Sequence, residues 1–192
     1  PNHVANTMSS PYYRFDGVND VITVADSDHL TFGNGTIDNA FSVVVWAKPE
    51  DVTNFSMVAK YASSHFEYYF TLDGSDKLLF LLYDTSASAN ISMLSDSAIS
   101  LDGETCCYVG TYSGSGANSG LKLYKNGTLV SSTGGSSGSY VAMENKDATF
   151  DFGKNLSVFG KGEISKTHVY NKELTATEVK ELYSGASVPF KY

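Results

Sequence analysis

Leu121-Lys122-Leu123-Tyr124-Lys125-Asn126-Gly127-Thr128-Leu129-Val130 alternates apolar and polar residues on both sides of Asn126-Gly127. The alternation has the two-residue period of a half-buried strand. Asn-Gly supplies the two positive-φ positions of a type I′ turn. The stretch therefore predicts a β-hairpin, and with it an antiparallel sheet.

Working outward, the same period recurs. Tyr12 to Phe15 and Val18 to Val24 read as strands around an Asp16-Gly17 turn. Phe41-Ser42-Val43-Val44-Val45-Trp46-Ala47 has almost no polar interruption, the pattern of a strand buried on both faces. Met57 to Lys60, Phe66 to Leu72, Leu78 to Tyr83, Asn90 to Leu94, Cys106 to Tyr112, Thr149 to Phe152 and Ile164 to Tyr170 follow as further strands. In the second of these, Phe66, Tyr68, Phe70 and Leu72 fall on one face. Two Gly/Ser-rich stretches, Ser113 to Gly120 and Gly134 to Ser139, read as flexible loops between strands. The helical signal comes at the end. Thr175-Ala176-Thr177-Glu178 is a capping box, Leu174 and Val179 have the spacing of a hydrophobic staple, and Gly185 is a suitable stop.

The chain of 192 residues suits one domain with a substantial core. Residues 12–192 form that domain; residues 1–11 show neither period and read as an N-terminal arm. Ordering a residue's backbone costs roughly 1–2 kcal/mol, so such an arm settles only against its own sandwich or, more favourably, a neighbouring subunit. The chain starts at Pro1 without an initiator methionine, which reads as a processed form or a fragment. The net charge is −8 and basic residues do not cluster, which argues against nucleic acid and against an anionic membrane surface. No apolar run approaches the roughly 20 residues of a membrane span. Cys106 and Cys107 are adjacent, so they predict no disulfide framework but one core residue beside one surface residue.

Several segments together resemble the LamG-like jelly-roll family of the concanavalin A-like superfamily. Phe15-Asp16-Gly17-Val18-Asn19-Asp20-Val21-Ile22 resembles its opening motif, and Phe41 to Pro49 its central Trp strand. Val109-Gly110-Thr111-Tyr112 and Leu121 to Val130 resemble its later hairpin region. Gly162, Ile164, Tyr170, Asn171, Leu174 and Thr175 to Tyr183 resemble its closing strand and helix. The resemblance implies an antiparallel β-sandwich of jelly-roll topology with one short C-terminal helix. It serves lectins, glycanases and structural modules alike. Two positions depart from the pattern. Thr105 stands near where the family often has Trp, and Ser165-Lys166 where it often has an Asp-Glu pair that supports calcium.

Glycan hydrolysis needs two carboxylates at a fixed separation, and the Glu-x-Asp-x-x-Glu run of glucanases with this fold is missing. Glu67 is alone on its strand and reads as a solvated outward residue. The four histidines have no metal-ligand spacing. Asp16, Asp20, Asp26 and Asp28 are the densest carboxylate group; Asp16 and Asp20 are the candidate metal ligands, with calcium the ion such an oxygen-rich turn takes. Sugars stack their C–H faces on aromatic rings, which makes Tyr68, Tyr69, Tyr83 and Tyr112 the candidate ligand contacts.

These readings predict an all-β, non-catalytic recognition or adhesion module without a required cofactor. Its expected setting is extracellular or on a virion surface, and its expected partner a glycan or glycosylated surface. The alternative is a decoration or cement protein of a virus particle or other large assembly, homo-oligomeric or larger, attached through its arm.

Overall fold

The computed structural model describes residues 2–4, 11–50, 54–99 and 103–184. In chain order its strands are β1 (Asn2–Val4), β2 (Tyr12–Asp16), β3 (Ile22–Val24), β4 (Phe41–Pro49), β5 (Ser56–Ala62), β6 (His65–Leu72), β7 (Leu78–Asp84) and β8 (Ala89–Ser95). There follow β9 (Cys106–Tyr112), β10 (Leu121–Lys125), β11 (Thr128–Leu129), β12 (Ser132–Ser137), β13 (Phe150–Phe152), β14 (Lys154–Asn155), β15 (Val158–Phe159) and β16 (Lys161–Tyr170), then helix α1 (Ala176–Ser184). One seven-stranded sheet has the order β1-β2-β16-β4-β9-β10-β11, and the other β12-β8-β7-β6-β5-β13-β3. The pairs are antiparallel, and the two sheets make a β-sandwich.

The hairpin forms as its sequence predicts. Tyr124 pairs with Leu129 and Lys125 with Thr128. Asn126 has φ 50° and Gly127 φ 77°. The Asn126 side chain also accepts from Cys107 N at 2.8 Å, tying the turn to β9.

The main core lies between the sheets. Phe41, Val43, Val45 and Ala47 of β4 enter it, opposite Tyr68, Phe70, Phe80 and Leu82. The sheets approach closely at Gly110, where a Cβ would stand 2.8 Å from the Phe80 ring. The other side of β4 is covered as well. Val44 joins Cys107, Val109, Tyr124, Leu174 and Val179 in a second cluster beneath α1. That helix explains the uninterrupted apolar run of β4. It also corrects the reading of the cysteines: both are buried, because α1 packs over what would otherwise be the surface face. The capping box is present, with Thr175 N donating to Glu178 Oε2 at 2.9 Å and Glu178 N to Thr175 Oγ1 at 3.2 Å. The stop assigned to Gly185 lies outside the described residues.

Three segments differ from their sequence reading. The stretch from Gly134 is not a loop; it belongs to β12, which pairs with β8 from Ser132 to Ser137. The open edge of β8 supplies hydrogen bonds that composition does not reveal, and Ser131 and Thr133 hydroxyls anchor on Asp96. Asn2–Val4 of the arm adds to β2 of its own sheet, with His3 opposite Tyr13; residues 5–10 lie outside the description. The segment from Val18 begins as a turn, because Asp16 Oδ1 accepts from Val18 N and Asn19 N, and the strand starts only at Ile22.

Candidate functional site

Strand β6 decides which aromatic side chains reach the surface. Between the pairs Lys60–Tyr68 and Tyr61–Phe66, the register advances one residue on β5 and two on β6. Glu67 is the extra residue of a β-bulge, and the inward-outward alternation changes phase there. Phe66 consequently turns to the outer face with Tyr69, while Tyr68 points to the core. The alternation assumed from the sequence holds only from Tyr68 onward.

The bulge also turns Glu67 inward, correcting its reading as a solvated residue. Its side chain is fully buried against Lys60. Lys60 Nζ also donates to Asp26 Oδ1 at 2.7 Å and to Lys146 O at 3.1 Å. Burial pushes the Glu67 carboxyl above its ordinary range, against the opposing pull of Lys60. An unpaired carboxylate would not survive in this position, because desolvating one charge without the other is strongly unfavourable.

Two of the four candidate tyrosines are removed from the surface. Tyr68 is fully buried, its hydroxyl donating to Leu30 O at 2.7 Å and its ring 4.9 Å from that of Phe41. Tyr112 is also fully buried; its hydroxyl donates to Asp38 Oδ2 at 2.8 Å and accepts from Gly116 N at 2.7 Å. Both are core residues with a polar tip that needs an internal partner. Tyr69 and Tyr83 remain on the outer face of the sheet, both half-buried.

They are joined there by two rings not identified from the sequence. Tyr61 and Phe66 stack with centroids 4.2 Å apart. Tyr69 meets Tyr61 edge-on at 5.0 Å, and Tyr83 meets Phe66 edge-on at 5.2 Å. Burial among these rings raises the Tyr61 phenol to about 12. The register carries the surface sideways, from Tyr69 through Leu81 and Ser92 to Gly135, and from Tyr83 through Asn90 to Ser137. The face thus combines apolar ring surface on β5–β7 with amide and hydroxyl groups on β8 and β12. Sequence reading ended its strand at Lys60, one residue short of Tyr61, and had no signal for the bulge that exposes Phe66.

The four aspartates make hydrogen bonds and an ion pair within the fold. Asp20 Oδ2 accepts from Asp16 N at 3.0 Å, reciprocating the Asp16 bonds to Val18 and Asn19. Those backbone donors hold the Asp16 carboxyl below its ordinary range. Asp26 binds Lys60, and Asp28 accepts from Asn145 Nδ2 at 2.8 Å. The four aspartates therefore do not assemble one shared site. Among the described residues no three His, Cys, Asp or Glu side chains gather as a metal site. The acidic group brackets a turn and its neighbouring loops.

A laminin G family model, described as the concanavalin A-like lectin/glucanases superfamily, matches residues 17–180. No curated protein matches the sequence. Among solved structures, the chain is similar to the botulinum neurotoxin serotype G binding domain, with TM-score 0.70 and 16% identity over 97% of this chain and 45% of that one. It is also similar to domain 4 of AbnA, a GH43 extracellular arabinanase from Geobacillus stearothermophilus solved with arabinotriose, with TM-score 0.64 and 20% identity. That match covers 94% of this chain and 80% of the arabinanase domain. A heptameric SAP-like pentraxin from Limulus polyphemus matches with TM-score 0.60 and 16% identity, over 96% of this chain and 86% of that one. The chain spans less than half of the neurotoxin binding domain, and at these identities the likeness is one of fold.

Proposed function

Since the chain belongs to the concanavalin A-like lectin/glucanases superfamily, we propose that it is a non-catalytic module that binds glycans outside the cell. The observation that carries this reading is the ring cluster of Tyr61, Phe66, Tyr69 and Tyr83 on the outer face of the β12–β3 sheet. Partly exposed aromatic rings provide a platform for the C–H face of a pyranose or furanose. Asn90 and Ser92, one strand further on, bring amide and hydroxyl groups that match sugar hydroxyls. The arabinotriose bound by the similar arabinanase domain supports the ligand class. The botulinum neurotoxin binding domain supports a role in recognition.

The mechanism is surface complementarity on a rigid sheet. The rings brace one another by stacking and by edge-to-face contact, so little side-chain freedom is lost on binding. Tyr69 and Tyr83 are the contacts we assign, each presenting ring surface and a hydroxyl. Screening the protein on a glycan array, then repeating the hits with Tyr69→Ala and Tyr83→Ala, tests the reading. Each variant is expected to weaken binding at least tenfold while keeping its melting temperature within a few degrees. Binding that survives both substitutions would remove this face from the account.

A further inference from the structure

A second group of aromatic and basic side chains lies on the outer face of the opposite sheet. Lys166, His168 and Tyr170 alternate along β16 and share one face, and Lys166 pairs in register with Trp46 of β4. The Lys166 ammonium stands 4.8 Å from the centroid of the Trp46 ring. His168 approaches the same indole edge-on at 5.8 Å, and its Nδ1 lies 3.0 Å from the Tyr170 hydroxyl. The bulge at Ser165 sets this phase: its hydroxyl donates to Trp46 O at 3.3 Å, and Lys166 emerges above the ring.

The cluster is anchored but not saturated. Trp46 and Tyr170 pack against the buried layer beneath α1. Lys166 is exposed, and among the described residues no carboxylate pairs with it. Glu163, two register pairs away along β16, lies between Lys48 and Arg14. In a chain of net charge −8, an uncompensated cation held over an indole is a local exception. When Nδ1 accepts from the Tyr170 hydroxyl, His168 Nε2 carries the proton and is a donor.

We propose that Trp46, Lys166 and His168 form a separate site for an acidic sugar residue, its carboxylate on Lys166 and His168 beside the indole. A single ammonium and one imidazole donor match a monoanionic carboxylate. Sulfated chains and phosphate dianions draw on several cations or on Arg forks. Burial and the nearby Lys166 hold the His168 pKa below its ordinary value, so at neutral pH it serves as a neutral donor. The site does not depend on the ring cluster of the other sheet.

Trp46 is the sole tryptophan of the chain, so its emission reports on this site directly. The full chain is titrated with trigalacturonate at low salt, with galactotriose and a sulfated galactose trimer in parallel. A saturable change in emission with the uronate, weaker as salt rises and at least tenfold weaker with galactotriose, is expected. Lys166→Met should weaken uronate binding at least tenfold, and Lys166→Arg should retain most of it. No saturable response, an equal response to galactotriose, or Lys166→Met binding like the original would overturn the site. A tighter response to the sulfated trimer than to the uronate would overturn the carboxylate assignment.

Discussion

Asp38 joins three segments that are far apart in sequence. Its Oδ2 accepts from the Tyr112 hydroxyl at 2.8 Å and the Tyr140 hydroxyl at 2.7 Å, and its Oδ1 from Met143 N at 2.8 Å. Burial nevertheless raises its carboxyl above the ordinary range, because the desolvation cost of the charge exceeds what these donors return. The folded pKa therefore lies above the unfolded one. Its stabilising contribution is complete below the unfolded value and is lost as pH rises through the folded value. Denaturant melts of the original chain and Asp38→Asn should show their stability difference shrinking from pH 4 to pH 7; a difference that grows would contradict the assignment. At the hairpin, a Cβ on Gly127 would meet Lys180 Cα at 3.3 Å, and its φ is 77°. Gly127→Val should destabilise by about 1 kcal/mol or more, because β-branched residues resist positive φ. An unchanged melt would count against this turn.

At the scale of elements, the β5–β6 pair carries both the buried charge and the exposed rings. Lys60→Ala leaves Glu67 buried without its cation and should cost about 3–5 kcal/mol. Lys60→Met with Glu67→Met should recover most of that loss, and chemical denaturation of both variants measures it. If the single substitution is harmless, the pair is not buried as described. Removing the helix cap with Thr175→Ala should cost about 1 kcal/mol, read as a lower melting temperature. The hairpin, the β4 strand and the capping box were legible because each is decided by neighbours in sequence. The bulge at Glu67 was not, since it depends on how β5 and β6 align, and that choice decides whether Phe66 or Tyr68 is outside. Strand β12 was hidden for a related reason. Ser and Gly have little strand preference of their own, and the edge of β8 imposes the conformation.

At the scale of the molecule, two sheets share one core and present different outer chemistry. One carries neutral rings beside hydroxyl and amide groups, and the other carries α1 with the Trp46–Lys166–His168 group. The resemblance read from the sequence anticipated the sandwich, because motif order follows strand order. It did not anticipate the ring face, whose members come from β5, β6 and β7 and meet only after pairing. Of the four tyrosines singled out beforehand, Tyr69 and Tyr83 lie on that face, whereas Tyr68 and Tyr112 fill the core. The direct test of glycan recognition is an amide chemical-shift titration of the 15N-labelled chain with arabinotriose and with the best array ligand. Shifts concentrated at Tyr61, Phe66, Tyr69, Leu81, Tyr83, Asn90 and Ser92 are the predicted result. Shifts confined to other surfaces, or none with any glycan at millimolar concentration, would contradict it.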